Sequence, residues 1–387
     1  MKLKQLPSDF IVEEIPNIQT SNEKKAHSIH ILEKTELDTF EAIHLISKKT
    51  NVPLIEIGYA GLKDKHAVTR QYISIPAHYS IQFKNTDKLK LFFVGYYDNK
   101  IQIGDLKGNN FRIVVRDIKF NKIDRVYEKI KSLSLFGVPN YFDSQRFGSV
   151  FNNEFIGKYL IKKNYELAVK IFLTRYLKTE KITVKNEKRK ILANWSNLEN
   201  ISLKNNLFSK IVNEYLTSKS WLEAYKKLPA NIREIHVNAY QSYLWNECVK
   251  EIIRTCINGK KIYSVKYSVG SLYFYKDITS EEKRKIPSVF PTLSDKVKLT
   301  DFNNKIASKV LSDENITIQD LDIKSITGNF FKTRKRAVIV NPVNLNMSVP
   351  KEDELNLING KPQKKFTLSF SLPKGSYATI ITKKIFN

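Results

Sequence analysis

Cysteine is scarce: Cys248 and Cys256 are the only two in 387 residues, and they form no Cys-x-x-Cys pair. The six histidines are scattered, without a His-Glu-x-x-His or His-x3-His spacing near them. Neither a disulfide framework nor a structural zinc site is expected. No apolar window approaches the ~18 residues of a membrane span, and the opening Met1-Lys2-Leu3-Lys4-Gln5-Leu6-Pro7 lacks the apolar core of a signal peptide. The expected compartment is the cytoplasm. A Gly-x-Gly-x-x-Gly fingerprint and a Walker A loop are also missing, so the common dinucleotide and nucleoside-triphosphate chemistries have no sequence support. Acidic residues are in deficit, 39 against 65 basic ones, for a net charge of +26. Arginine is sparse among the basic residues, and the crowding of Lys, Asn and Ile is what an AT-rich coding sequence produces, so part of this charge is compositional. A 42% hydrophobic content excludes wholesale disorder. A folded chain with this field attracts polyanions, which puts nucleic acid ahead of an anionic membrane or an acidic protein as partner.

The texture changes along the chain. Residues 28–32 alternate as a half-buried strand, and Asp38-Thr39-Phe40-Glu41 reads as a capping box opening a helix with Phe40, Ile43 and Ile46 on one face. Residues 55–60, 71–75, 91–97 and 111–116 read as further strands, and Asp98-Asn99-Lys100 predicts a hairpin between the last two. Residues 121–136 look helical, stopped by Gly137 and Pro139. From 151 to 210 there are 13 basic and 5 acidic residues in long mixed helical stretches, and 236–253 continues as an apolar helix. Strand character returns at 337–340, 366–370 and 377–381. The C-terminus is therefore expected to complete the sheet of the first domain.

The most distinctive segment is Gly58-Tyr59-Ala60-Gly61-Leu62-Lys63-Asp64-Lys65-His66-Ala67-Val68-Thr69-Arg70-Gln71, set between two expected strands. Its two glycines permit a tight turn at a strand end. Asp64 has a lysine on either side, and positive charge favours the ionised form that a nucleophile or base requires. A Lys-Asp-Lys turn is equally an ordinary solvated loop whose aspartate bonds its own backbone. The residues alone leave both readings open. The arrangement Gly-x-Ala-Gly-x-Lys-Asp-x-x-Ala-x-Thr-x-Gln, however, resembles the signature of the TruD family of tRNA pseudouridine synthases, with every specified position filled. The resemblance implies that Asp64 is the single catalytic carboxylate and that Lys63 serves the substrate side of the site.

A second block, Asn140-Tyr141-Phe142-Asp143-Ser144-Gln145-Arg146-Phe147-Gly148, is similar to the family's Asn-Tyr-Phe-Gly-x-Gln-Arg-Phe-Gly and departs only at Asp143. Aspartate tolerates left-handed backbone better than most residues, but a carboxylate there would repel a phosphate. The block implies Asn140 and Phe142 beside Asp64, the ring of Phe142 stacking on the target uracil, with Gln145 and Arg146 as RNA contacts. The opening Lys4 to Phe10 matches Lys-x-x-Pro-x-Asp-Phe, implying Lys4 as an ion-pair partner of Asp64 and Phe10 as a wall of the pocket. Weaker echoes at 106–109, 239–246 and 372–379 extend the match over the chain. Within them, Tyr240, Tyr243 and Leu244 have the spacing of a packed helix face. The basic run Lys332-Thr333-Arg334-Lys335-Arg336 holds two of the few arginines, and Arg334 and Arg336 are expected to grip phosphate.

The resemblance implies an isomerase that converts uridine to pseudouridine in tRNA, at position 13 in the D arm, using one aspartate and no cofactor or metal. It implies no membrane and no obligate protein partner. The implied fold is α+β, a pseudouridine-synthase-like mixed, mostly antiparallel sheet flanked by helices. Residues 1–152 plus 337–387 would form a discontinuous catalytic domain, and 153–336 an inserted α/β TRUD domain. Two alternatives are a non-catalytic basic RNA-binding protein and a nucleosidase-type carboxylate hydrolase.

Overall fold

Alternating apolar residues build the first half of this protein into one sheet. The computed structural model describes residues 1–177, 180–328 and 330–387, and the chain divides into two compact units, Met1–Val138 with Val340–Asn387, and Pro139–Ile339. Residues 139–152 thus group with the second unit.

The first unit holds β1 (Lys2–Leu3), β2 (Phe10–Pro16), β3 (His27–Thr35), β4 (Gly58–Tyr59), β5 (Val68–Pro76), β6 (Leu89–Tyr97) and β7 (Leu106–Ile118), with C-terminal strands Val343–Met347, Lys351–Ile358 and Lys361–Pro373. These ten strands form one sheet whose main path runs Val343–Met347, Lys361–Pro373, β7, β2, β5, β3, β6. β2 lies parallel to β5, and the neighbours β3 on β5 and Lys361–Pro373 on β7 are antiparallel. The late strand therefore does join the first domain's sheet. Period-two alternation sends Phe10, Val12, Phe111, Ile113, Val115, Phe366, Leu368 and Phe370 into the interior. Helix α1 (Thr39–Thr50) starts at the foreseen capping box: Asp38 Oδ1 accepts from Glu41 N at 2.8 Å, and Asp38 N donates back to Glu41 Oε2 at 3.0 Å. Helix α2 (Ile123–Phe136) ends on Gly137 at φ +69°.

Four local expectations fail for identifiable reasons. Phe40 is exposed on α1, where Ala42, Ile43 and Ile46 carry the buried face. Residues 54–56 form a 3-10 turn, and only Gly58–Tyr59 pairs as strand. β6 and β7 form no hairpin, because β3, β5 and β2 lie between them in the sheet. The run 377–381 folds as part of the helix Ala378–Phe386, whose buried Ala378, Ile381, Thr382 and Ile385 recur at helical spacing.

The N-terminal segment is pinned by a buried charge network. Arg116 of β7 donates through Nε to both carboxylate oxygens of Asp9 at 3.0 Å and through Nη1 to Asp353 Oδ1 at 3.0 Å, with all three side chains at most 5% exposed. Asp353 also accepts from Asp117 N at 2.8 Å and Asn356 Nδ2 at 2.7 Å. The hydrogen bonds to Asp9 above all raise the Arg116 pKa, keeping it charged. Arg116→Ala strands two buried aspartates, and chemical denaturation is expected to show a loss of about 3–5 kcal/mol. A loss below about 1 kcal/mol would mean that water replaces the guanidinium.

The second unit is built mainly of helices. Ile156–Ile161, Tyr165–Thr174, Asn206–Ser218 and Trp221–Lys226 share a core that includes Leu160, Val169, Ile211 and Tyr225. The 27-residue helix Ala230–Cys256 buries Tyr240, Leu244 and Trp245 completely. Short antiparallel ribbons pair Ile262–Tyr267 with Gly270–Tyr275 and Val289–Pro291 with Lys335–Ala337. Among the described residues no helix is long and apolar enough to cross a membrane.

Candidate active site

Asp64 sits on the loop between β4 and β5. The loop leaves the sheet at Gly58, where an added Cβ would meet Ser74 Oγ at 2.4 Å and the Ile101 carbonyl at 2.6 Å, so only glycine fits. Gly61 has open space around it and no positive φ. The tight turn foreseen for both glycines is thus a close backbone approach at one of them.

Three buried polar side chains hold the loop backbone from three elements. Gln71 of β5 donates to the Gly61 carbonyl at 3.2 Å. Thr39 Oγ1 of α1 accepts from Lys63 N at 2.9 Å and donates to Gln71 Oε1 at 3.1 Å. Lys34 Nζ of β3 donates to the carbonyls of Asp64 at 2.8 Å and Leu37 at 2.7 Å. Burial lowers the Lys34 pKa to about 8. The Asp64 carboxylate ion-pairs through Oδ2 with Lys4 Nζ, and its Oδ1 accepts from His66 N at 3.1 Å. The own-backbone bond of a solvated turn and the ion pair coexist. Lys4, at φ +56°, lays its ammonium 4.1 Å from the centroid of the buried Phe10 ring. The side chains of Lys4 and Asp64 are each 25% exposed, so a ligand can reach them.

Lys63 and Lys65 have other partners. Lys63 Nζ pairs with Glu14 Oε2 at 2.6 Å and donates to Asn109 Oδ1 at 2.9 Å, sealed from solvent. Lys65 pairs with Glu41 at 3.0 Å on the surface. The cation that meets the Asp64 side chain therefore comes from Lys4 rather than from the flanking lysines, and Lys63 has no free head for RNA.

In the second unit, Phe142 is clamped at its backbone by Asn246 of the long helix: Phe142 N donates to Asn246 Oδ1, and Asn246 Nδ2 donates to the Phe142 carbonyl, both at 2.9 Å. Its partly exposed ring packs edge-on against Trp245 at 5.6 Å. The Arg336 guanidinium lies 4.2 Å from the ring centroid and donates through Nε to the Asn140 carbonyl at 3.0 Å and through Nη2 to Asn140 Oδ1 at 2.9 Å. Arg336 thus buttresses the Asn140–Phe142 segment where a phosphate grip was expected. Arg146 is 5.6 Å from the same ring and donates to Ser242 Oγ at 3.0 Å. Asp143 has φ −103°, extended backbone open to any residue, and its side chain is buried. Neither the left-handed backbone nor the phosphate repulsion considered for it arises. Gln145 and Arg334 are exposed. No ion pair, hydrogen bond or ring contact engages the Arg334 side chain among the described residues.

Sequence reasoning missed Lys34 and the loop-holding role of Thr39. The available signal for Lys34 was its phase: it shares a strand face with Leu32, which is fully buried. A lysine at an inward position of a strand needs a partner inside. Among the described residues no group of three His, Cys, Asp or Glu side chains is placed to hold a metal ion.

Comparison with known proteins matches the family model of tRNA pseudouridine synthase D (TruD) to residues 1–385. The Methanococcus maripaludis protein named as a tRNA pseudouridine synthase D 1 is 39% identical over 395 residues, covering all of both chains. That of Aquifex aeolicus, named tRNA pseudouridine synthase D, is 33% identical over 396 residues, covering 100% of this chain and 98% of its own. The crystal structure assigned to tRNA pseudouridine synthase D of Methanosarcina mazei superposes with a TM-score of 0.72 at 26% identity, over 99% of this chain and 92% of that one.

Proposed function

The chain belongs to the TruD family of tRNA pseudouridine synthases, isomerases of uridine in tRNA, and from that premise we propose that Asp64 is its catalytic carboxylate, acting without a cofactor on uridine 13 of the D arm. Membership of an isomerase family sets aside the non-catalytic and hydrolase readings. The observation that supports Asp64 is its environment. Its loop backbone is held by Lys34, Thr39 and Gln71, while its carboxylate, paired with Lys4, remains open to a ligand.

The isomerisation breaks the C1′–N1 bond, turns the captive uracil, and joins C5 to C1′ while the C5 proton is lost and N1 gains one. The balance needs no oxidant or reductant. Asp64 serves either by attacking C1′ or by abstracting the C2′ proton to give a glycal. Both routes need a carboxylate beside the ribose of a nucleoside withdrawn from its stack. Within the second unit, Phe142, set by Asn246 and Arg336, offers an aromatic face on which an RNA base can stack. Lys4 orients the carboxylate and Phe10 orients Lys4. Gln145, Arg146 and Arg334 contact the RNA, whereas Asn140, buried and engaged by Arg336 and the Ala337 carbonyl, positions the Phe142 segment instead of meeting RNA. We assign the catalytic domain to Met1–Val138 with Val340–Asn387, the inserted TRUD domain to Pro139–Ile339, and the compartment to the cytoplasm.

Mapping pseudouridine by carbodiimide-dependent reverse-transcription stops, in cells with and without this protein, tests the target. The loss of one stop in the D arm is expected. An unchanged tRNA map would refute the assignment, and loss of a stop elsewhere would move the target.

A further inference from the structure

Lys34 is the one buried ammonium that touches the catalytic loop without pairing with a carboxylate among the described residues: its nitrogen reaches only main-chain carbonyls, Leu37 at 2.7 Å, Asp64 at 2.8 Å and Lys63 at 3.5 Å. Burying an unpaired ammonium costs stability, and an apolar side chain of similar length would suit the interior better. β3 does not need it, because backbone pairing with β5 and β6 fixes the register on both sides. We propose that Lys34 is a positioning residue for the isomerisation, its ammonium fixing the Asp64 main chain and thereby the direction of the carboxylate. This inference rests on Asp64 being the catalytic group.

The protonation state of Lys34 governs how firmly it holds the loop. A protonated Lys34 has three N–H donors directed at a ring of carbonyl dipoles, and the neutral amine has two and no charge. The charged groups that face it are Asp64 and Asp38, then Lys63 and Glu41, and burial outweighs them, so the proton is lost near pH 8. The sign for stability is opposite to that for activity. The folded pKa lies below the ordinary 10.5, so the unfolded chain binds more protons between these values, and Lys34 contributes a stability that rises with pH through that window. Turnover should instead fall around pH 8, where Lys34 in the folded protein loses its proton and the loop its anchor.

The test is single-turnover kinetics on full-length protein with unmodified tRNA, from pH 6.5 to 9.5, for native enzyme and Lys34→Met. The native rate is expected to fall with a midpoint near pH 8. Lys34→Met should be about 10–100-fold slower at neutral pH, with unchanged tRNA affinity and no alkaline limb near 8. Its melting temperature should equal or exceed the native one, which separates positioning from a merely structural role. Native-like turnover in Lys34→Met, or an alkaline limb identical to the native one, overturns the inference. Should that variant fail to fold, nitrogen-15 titration of Lys34 Nζ in the native protein decides. A midpoint coincident with the kinetic limb supports the inference, and a limb without a matching titration overturns it. Retained activity in Asp64→Asn would instead overturn the reading on which the inference rests.

Discussion

Asp64→Asn is expected to slow pseudouridine formation by about 10⁴-fold or more, with tRNA affinity and folding close to native. Asparagine keeps the volume of the side chain and an oxygen that can accept from His66 N, so the turn survives. On the role proposed for Asp64, what is lost is the negative charge that would attack C1′ or take the C2′ proton, and a neutral amide does neither at a useful rate. Stability should hardly change, because the Lys4–Asp64 pair is partly exposed and such pairs are worth about 1 kcal/mol or less. Lys4, once unpaired, can turn toward solvent. Single-turnover rates with saturating enzyme, beside a filter-binding isotherm and a thermal melt, separate the three quantities. A variant that binds and folds normally but turns over within tenfold of native would remove Asp64 from the chemistry.

The second large effect is electrostatic. Affinity for tRNA is expected to fall about 10³-fold between roughly 50 and 200 mM salt, because neutralising six or more phosphates releases that many counterions. The net charge of +26 supplies the field, but many cations are already engaged within the chain, among them Lys63 with Glu14, Lys65 with Glu41 and Arg116 with Asp9. Arg334 and Lys335 are exposed, and no contact within the described residues engages their side chains. Arg334→Ala should therefore reduce the slope of log affinity against log salt by about one and leave turnover at saturating tRNA unchanged. A salt-independent affinity would contradict phosphate-dominated binding.

Most of what could be read from the sequence was local, the return of a C-terminal strand to the first sheet being the long-range exception. The capping box at Asp38 and Glu41, the stop at Gly137 and the packed face of Tyr240 and Leu244 depend on residues within a few positions of one another, and each is present. The β6–β7 hairpin failed because strand pairing is decided across the sheet: the turn residues 98–100 looked competent, yet β3 and β2 supplied better partners. The run 377–381 failed because five apolar or β-branched residues do not distinguish a strand from a buried helix turn. In the site, the Lys-Asp-Lys turn read alone set the flanking lysines around Asp64, whereas the resemblance of the opening segment implied the Lys4 ion pair that is present. Adjacent positions in an extended loop project to different sides, so Lys63 turns inward to Glu14 while Lys4, distant in sequence, meets the carboxylate. Arg336 was read as a surface cation, because nothing local to it reveals that Asn140 and Phe142 come to lie against its guanidinium.

A carboxylate-driven exchange of a C–N for a C–C glycosidic bond leaves its mark on the hydrogen at C5. The fate of tritium at C5 of uridine in a full-length tRNA transcript is therefore the most direct measurement of it. Native enzyme is predicted to release tritium to water in step with pseudouridine formation, with no free uracil, and Asp64→Asn to release none above background. Free uracil as product, or tritium release by Asp64→Asn at the native rate, would contradict it.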